Sequence, residues 1–256
     1  MTTLFRLRTS SGFFFKTVTE LFRASFSDII FSAREEGLFS RMTNKQSTKL
    51  FDLVLYASSM DEFYVREPLF FGVNVTHLYK IISSVKKNDT LELTLTEEEA
   101  DCLKITITPA DGAYTDTGFV RTARVQNIEI DLPTGYDMHI QGSSSKFNKM
   151  WRELLSISKE VRIEGNSGRI SFHAVVDGIL GKETEYTGEQ KDPYGRIVYD
   201  ETFHLDELGK LNKLAGFGHP IHFFVKECLP LKIHTTIGGV ASGVGELSIY
   251  ICHSPA

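Results

Sequence analysis

Apolar and basic positions in the first half of this chain recur in the second half at a nearly constant offset. Phe14, Lys16, Val18 and Leu21 return as Phe147, Lys149, Trp151 and Leu154, an offset of 133. Leu78, Lys80 and Ile81 return as Leu208, Lys210 and Leu211, and the alternating Leu91, Leu93 and Leu95 return as Ile221, Phe223 and Val225, both at 130. Leu103-Lys104-Ile105 comes back as Leu231-Lys232-Ile233, at 128. The pieces keep their order, and a slow drift in offset is what small loop deletions between two homologous halves produce. Chance matching is the competing reading, because 41% of the residues are hydrophobic and a single Leu-for-Leu pair carries no weight. It leaves unexplained why helix and strand patterns repeat together. A chain of 256 residues is long enough for each half to bury its own core. Two similar domains are predicted, 1–126 and 138–256, joined by a linker at 127–137.

Each half reads as α+β, with antiparallel sheets dominating and two short helices. Around 12–24, Phe14, Val18 and Leu21 follow helical spacing, with Lys16, Thr19 and Arg23 predicted on the other side. Around 144–157, Phe147, Met150, Trp151 and Leu154 make an apolar face opposite Lys146, Lys149 and Arg152. Shorter helices at 76–84 and 205–215 are predicted to bury Leu78, Ile81 and Ile82, and Leu208, Leu211 and Leu214. They would expose His77 and Lys80, and Lys210 and Lys213. Period-2 segments fill the rest, at 28–33, 37–43, 50–56, 90–95, 103–108, 119–126, 161–164, 168–175, 182–187, 196–203, 221–226, 231–237 and 246–252.

The formal net charge is -5, so basic faces on four helices are not the echo of a generally basic protein. A solvated helix face accounts for one such stripe; four repeated in two domains suit a polyanion read through its phosphates. Sequence-independent duplex DNA fits best, because few aromatics are interleaved and no base-reading motif is present. No catalytic constellation stands against this. The eight histidines are scattered, without HExxH, a Walker loop or a nucleophile elbow. Gly238 to Gly245 has no Lys and no following helix, and reads as a flexible hairpin loop. No catalytic residue, metal or cofactor is expected, and the non-nucleic-acid alternative is a duplicated β-rich ligand-binding protein. The N-terminus alternates like a strand and lacks the pattern of a secretory signal. Cys102, Cys228 and Cys252, odd in number and widely spaced, suit a reducing compartment.

The run Phe71-Gly-Val-Asn-Val-Thr-His-Leu-Tyr-Lys-Ile-Ile82, Leu229-Pro230-Leu231 before a strand and the closing Tyr250-Ile-Cys resemble the proliferating cell nuclear antigen family of DNA sliding clamps. The resemblance spans essentially the whole chain, including the possibility of a divergent viral member. It implies that three subunits close head to tail into a ring around duplex DNA, with the helices lining the hole. Lys16, Arg23, Lys80, Lys146, Lys149, Arg152, Lys210 and Lys213 would then face DNA. Thr17 stands where the family often has a second basic residue, so the lining is less positive. The function implied is a polymerase processivity factor for replication and repair, loaded by an ATP-driven loader. Its location would be the nucleus or, for a viral member, a cytoplasmic replication site. Related factors also work as dimers or monomers through an open basic face, which is the alternative within this class.

Ile128, Ile130, Leu132, Pro133 and Tyr136 alternate with Glu129 and Asp131 in the linker. Taken alone this is an edge strand ending in a Pro-Thr-Gly turn. The resemblance implies a pocket for short peptides of polymerases, nucleases and ligases, at Met42, Ile130, Leu132, Tyr136, Leu229, Pro230, Tyr250, Ile251 and Cys252. Ser47 replaces a histidine common in the family, and the linker is one residue shorter than the commonest one, so the resemblance does not fix partner preference. Ring closure needs complementary strand edges on different domains. Phe119 to Val125 with Arg121 and Arg124 is predicted as one edge, and Lys182 to Thr187 with Glu183 and Glu185 as the other. Exposed ion pairs are worth only about 0 to 1 kcal/mol, so backbone pairing and apolar packing would carry most of that contact.

Overall fold

The computed structural model describes all residues except 1, 126–128, 137–138, 167, 189–194, 209–210, 240–241 and 253–256. Its contacts divide into two units, each assembled from more than one stretch of chain. The first holds Met1–Met42, Phe51–Ile130 and Thr236–Leu247; the second holds Thr43–Leu50, Asp131–Thr235 and Ser248–Ala256. The first unit thus takes in Thr236–Leu247 from the second half of the sequence, and the second unit Thr43–Leu50 from the first half.

In the first unit the strands are β1 (Thr3–Thr9), β2 (Asp28–Arg34), β3 (Gly37–Thr43), β4 (Lys49–Tyr56), β5 (Glu62–Val65), β6 (Leu69–Asn74), β7 (Thr90–Thr96), β8 (Cys102–Thr108) and β9 (Asp116–Arg124). Helices α1 (Phe13–Arg23) and α2 (Val75–Ile82) pack on them. Alternation sets the core: Phe5 pairs Leu95 and Leu7 pairs Leu93 across β1 and β7, while Ile29 pairs Val73 and Phe31 pairs Phe71 across β2 and β6. All eight side chains are buried. Strands β5 and β6 were not among the predicted segments, because Glu62–Val65 is short and Leu69–Asn74 is a continuous apolar run without alternation.

The second unit repeats this pairing. It contains β10 (His139–Gly142), α3 (Ser144–Ile157), β11 (Glu160–Gly165), β12 (Arg169–Val176), β13 (Leu180–Thr187), β14 (Tyr199–His204), α4 (Leu205–Leu208) and β15 (Ile221–Phe224). Strands β16 (Leu231–Gly239) and β17 (Ser242–Ile251) are each divided between the units. The ladders β1–β7–β8, β2–β3 and β2–β6 reappear as β10–β15–β16, β11–β12 and β11–β14. The duplication in the sequence is thus a duplication of topology. Around α3, Phe147 stacks on Trp151 at 5.4 Å and meets Phe223, which meets Phe172, both at ring distances near 5.5 Å. The four-residue β10 was also missed, being too short to show a period.

Two predicted elements are corrected. The helix expected over 205–215 is a single α turn followed by a 3-10 segment, Leu211–Phe217. Gly209 and Gly216 weaken an α-helix there, and Leu211, Leu214 and Phe217, all buried, are spaced by three, the period of a 3-10 turn. The flexible loop expected at 238–245 is mostly strand, since β17 begins at Ser242. Gly245 is needed because the chain crosses β4 closely: a Cβ there would lie 2.0 Å from the Val54 carbonyl oxygen.

Candidate nucleic-acid and peptide surfaces

Helix α1 is buried almost all round. Besides Phe14, Val18 and Leu21 it buries Phe15, Thr17, Thr19 and Phe22. The threonine hydroxyls are satisfied within the helix, Thr19 donating to Phe15 O at 2.8 Å and Thr17 to Phe13 O at 3.4 Å. Thr19 is therefore not on an exposed stripe, as the spacing had placed it. The residues of α1 that reach the surface are Phe13, Lys16, Glu20 and Arg23. Lys16 is half-buried, and its ammonium donates to Ser83 O at 2.6 Å and Val85 O at 3.4 Å. These carbonyls follow the C-terminus of α2, where a cation offsets the helix dipole. Lys16 thus ties α1 to α2 and is not directed outward. The Arg23 guanidinium lies 4.2 Å from the Tyr79 ring centroid, and the Tyr79 hydroxyl donates to Glu20 at 2.8 Å. On α2, Asn74 caps the N-terminus by accepting from His77 N–H at 3.0 Å, and His77 and Lys80 are exposed.

Replacing Lys16 by methionine should lower the stability of the first unit by about 1 kcal/mol, because two carbonyls lose a charged donor. Lys80→Met, at an exposed position, should cost less than about 0.5 kcal/mol. Denaturant midpoints of the two variants check the contrast; equal midpoints would mean that Lys16 is not a structural tie.

The basic face of α3 matches the periodicity. Phe147, Met150, Trp151 and Leu154 are buried, and Lys146, Lys149 and Arg152 are exposed. Glu153 sits beside Lys149, at 4.0 Å, but accepts a 2.5 Å hydrogen bond from Lys182 of β13. That bond holds the Glu153 carboxyl below its ordinary pKa and leaves Lys149 only loosely paired, with its side chain 80% exposed. Lys182 was not singled out from the sequence; its partnership spans two elements and leaves no local signature. Lys213 is half-buried on the 3-10 segment, and Lys210 lies outside the described residues.

The expected peptide residues fall in both units. Met42 and Ile130 belong to the first, where the Met42 sulfur accepts from Ile30 N–H at 3.2 Å and the Ile130 carbonyl accepts from Arg41 at 3.1 Å. In the second unit an aromatic site forms around Tyr136. Its hydroxyl donates to Pro230 O at 2.7 Å, and its ring lies 6.1 Å from Phe224 and 6.4 Å from Tyr250. Burial, then Tyr250 and Cys252, push the Tyr136 phenol well above its ordinary pKa, so it remains a neutral donor. The Lys232 ammonium lies 4.9, 5.4 and 6.0 Å from the Phe224, Tyr250 and Tyr136 ring centroids. Lys226 fastens the turn before it by donating to Gly135 O at 2.5 Å. Leu132, Leu229 and Pro230 are half-buried and Cys252 is exposed. Tyr250 and Ile251 are both buried, and strand alternation turns the Ile251 side chain away from the side that carries Tyr250. Phe224 and Lys232 were missed; they meet only through the register of β15 with β16. Among the described residues no three His, Cys, Asp or Glu side chains converge as metal ligands.

Three of the expected edge charges, Arg121, Glu183 and Glu185, lie beside charged or titratable groups of their own units. Arg121 pairs with Asp101 at 2.6 Å, the Glu185 carboxylate with Arg169 at 3.2 Å, and Glu183 lies 3.7 Å from His173. Arg124 is exposed. Strand β13 is the edge of its four-stranded sheet. Strand β9 pairs with β8 from Asp116 to Arg121 but with β6 only from Thr122 to Arg124.

A family model described as proliferating cell nuclear antigen, N-terminal domain, matches residues 4–131, half of the chain. The chain belongs to the proliferating cell nuclear antigen family. It is 20% identical over 246 residues to a protein of Paramecium bursaria Chlorella virus 1 named "Probable DNA polymerase sliding clamp 1", covering 93% of this chain and 94% of that one. It is 21% identical to the proliferating cell nuclear antigen of Chaetomium thermophilum, over 88% and 89% of the two chains. Among solved structures, the proliferating cellular nuclear antigen of Entamoeba histolytica superposes with a TM-score of 0.83 at 16% identity, covering 99% of this chain and 100% of that one. A PCNA2–PCNA3 complex from Sulfolobus tokodaii gives 0.79 at 18% identity, over 96% and 98%. The fold of the proliferating cell nuclear antigen family thus extends over the whole chain, including residues 132–256, which the family model does not reach.

Proposed function

We propose that this chain is a DNA sliding clamp: a homotrimeric ring that encircles duplex DNA without reading its sequence, raises polymerase processivity, and recruits loader, nuclease and ligase partners by their peptides. The observation that carries this reading is the α3 face, where Lys146, Lys149 and Arg152 are exposed on a chain whose net charge is -5. Exchangeable contacts of this kind hold phosphates without register, which sliding requires. Family membership and the viral and fungal relatives support the same reading. Arg23 and Lys80 supply further positive charge from the first unit, and the site around Tyr136 is the peptide pocket. Partner apolar side chains would pack on the half-buried Tyr136 and Phe224 rings, which Tyr250, itself buried, supports.

Ring closure joins β9 of one copy to β13 of the next. Apolar groups stand ready on both edges: Phe119 is 69% exposed on β9, and Val175 is 58% exposed on β12, beside β13. Gly181, paired with Val175, leaves it uncovered on that face. Phe119 of a neighbouring copy can lie there as the two edges hydrogen-bond.

Retention on DNA of defined topology tests the reading. Loaded by an ATP-driven loader onto a nicked circular plasmid, the protein should stay bound through high-salt gel filtration and be released when the circle is linearised. Equal retention on circular and linear DNA, or loss from both in salt, would replace encirclement with ordinary electrostatic binding.

A further inference from the structure

Where β9 changes partners from β8 to β6, the first unit holds a cavity of about 460 Å³. Leu69, Phe70 and Val125, all half-buried, form its sides, and the buried Phe71 and Leu95 close its floor. Four charged residues line the rim, Arg66, Glu67, Glu97 and Arg124. Arg66 is occupied, since its guanidinium holds Glu97 and stands 4.0 Å from Glu67. Arg124 is uncommitted: among the described residues it has no ion-pair partner. The three residues that follow Val125, outside the described ones, are Gln126, Asn127 and Ile128, which carry no charge.

Alternation fixes the direction of Arg124. It is opposite Phe71 across β6 and β9 and shares its face of β9 with Val120, and both of these are buried. The Arg124 side chain therefore leaves on the core side, over the cavity, whereas Phe119 and Arg121 leave on the other. The backbone points the same way. Thr122 N–H donates to Asp101 O at 2.8 Å on the β8 side, so the N–H of Arg124 turns to that side too, past Cys102 where β8 begins.

We propose that this cavity captures the carboxy-terminal residue of a partner chain, whose apolar side chain fills it while its terminal carboxylate pairs with Arg124. A guanidinium and a carboxylate meet through two parallel N–H···O bonds, and the Arg124 amide is a further donor beside them. Size and the closed floor select a chain end. Ligand sites run from about 300 to 1,000 Å³, so this one takes one or two side chains, and an internal segment would have to enter and leave by the same rim. In a chain end the apolar group and the charge sit on one residue. The site is independent of the aromatic one around Tyr136, which belongs to the second unit. It also leaves ring closure alone, because Phe119 and Arg124 use opposite faces of β9.

Fluorescence anisotropy with labelled hexapeptides on the assembled protein tests this. One peptide ends in Leu-Leu with a free carboxylate, the second is the same peptide amidated, and the third ends in Ser-Ser with a free carboxylate. The first should bind at least about tenfold more tightly than either of the others. Arg124→Gln should bring the acid down to the level of the amide and leave the amide unchanged. Ala100→Trp, at an exposed position lining the cavity, should fill it and abolish binding of the first peptide. Unchanged thermal melts of both variants report that the unit is intact. Equal binding of acid and amide, or a preference that survives Arg124→Gln, would overturn the proposal, as would no binding of the first peptide at millimolar concentration. Free isocaproate, which is leucine without its amine, should compete weakly; competition equal to that of the peptide would make this a site for small acids and overturn the partner chain. None of these outcomes bears on the pocket at Tyr136.

Discussion

Replacing Lys146, Lys149 and Arg152 together by glutamate is expected to abolish loading and polymerase stimulation while leaving the assembled mass unchanged. The three side chains lie exposed on α3 while Phe147, Met150, Trp151 and Leu154 make its buried face, so the helix should keep its place. Each reversal removes a phosphate contact and installs a repulsion. Losing three contacts per subunit alone lowers the slope of log affinity against log salt by about 3. Lys182 sharpens the prediction. Because it holds Glu153 at 2.5 Å, the wild-type face is less compromised by its own carboxylate than the sequence suggests. Lys182→Met should release Glu153 toward Lys149 and weaken stimulation in the same direction, by a smaller factor. Primer extension on a circular template across a salt series measures both. Unchanged stimulation by the triple variant would remove α3 from the DNA surface.

The sequence carried information where one element's own periodicity determines the outcome. Helix α3 is the clearest example: spacings of three and four put Phe147, Met150, Trp151 and Leu154 on one buried side. Offsets near 130 likewise anticipated a repeated topology, because equivalent strands must present equivalent apolar faces. What stayed hidden depends on partners distant in sequence. Lys16 has the spacing of an exposed residue but is captured by carbonyls 67 and 69 residues away. Thr17 and Thr19 look polar yet are buried, because each closes its hydrogen bond on the preceding turn. The aromatic cage around Lys232 depends on the register of β15 and β16, which no local pattern encodes. Adjacent positions on a strand face opposite ways, so of the peptide residues that the resemblance implies, Tyr250 and Ile251 point to opposite sides of β17.

The same alternation governs ring assembly, where Phe119→Asp is expected to convert the trimer to a 28.9 kDa monomer. Charges alone cannot hold the proposed contact. Arg121 is already paired with Asp101, and Glu185 with Arg169, so an intermolecular ion pair would first have to give up an existing one. Exposed pairs contribute at most about 1 kcal/mol in any case. Burying an aromatic side chain on Val175 contributes about 1.5 to 3 kcal/mol, and a closed ring repeats that contact at each of its interfaces. Aspartate at position 119 removes the apolar contribution and obliges a carboxylate to lose water beside Glu183 and Glu185, which share the outward side of β13 with Gly181. Arg121→Ala is the matched control and should leave the mass near three times 28.9 kDa. Light scattering behind size exclusion, over a range of protein concentrations, separates the two cases. Should Arg121→Ala dissociate the ring and Phe119→Asp leave it whole, the charges would be what closes it, and the apolar edge would need another occupant.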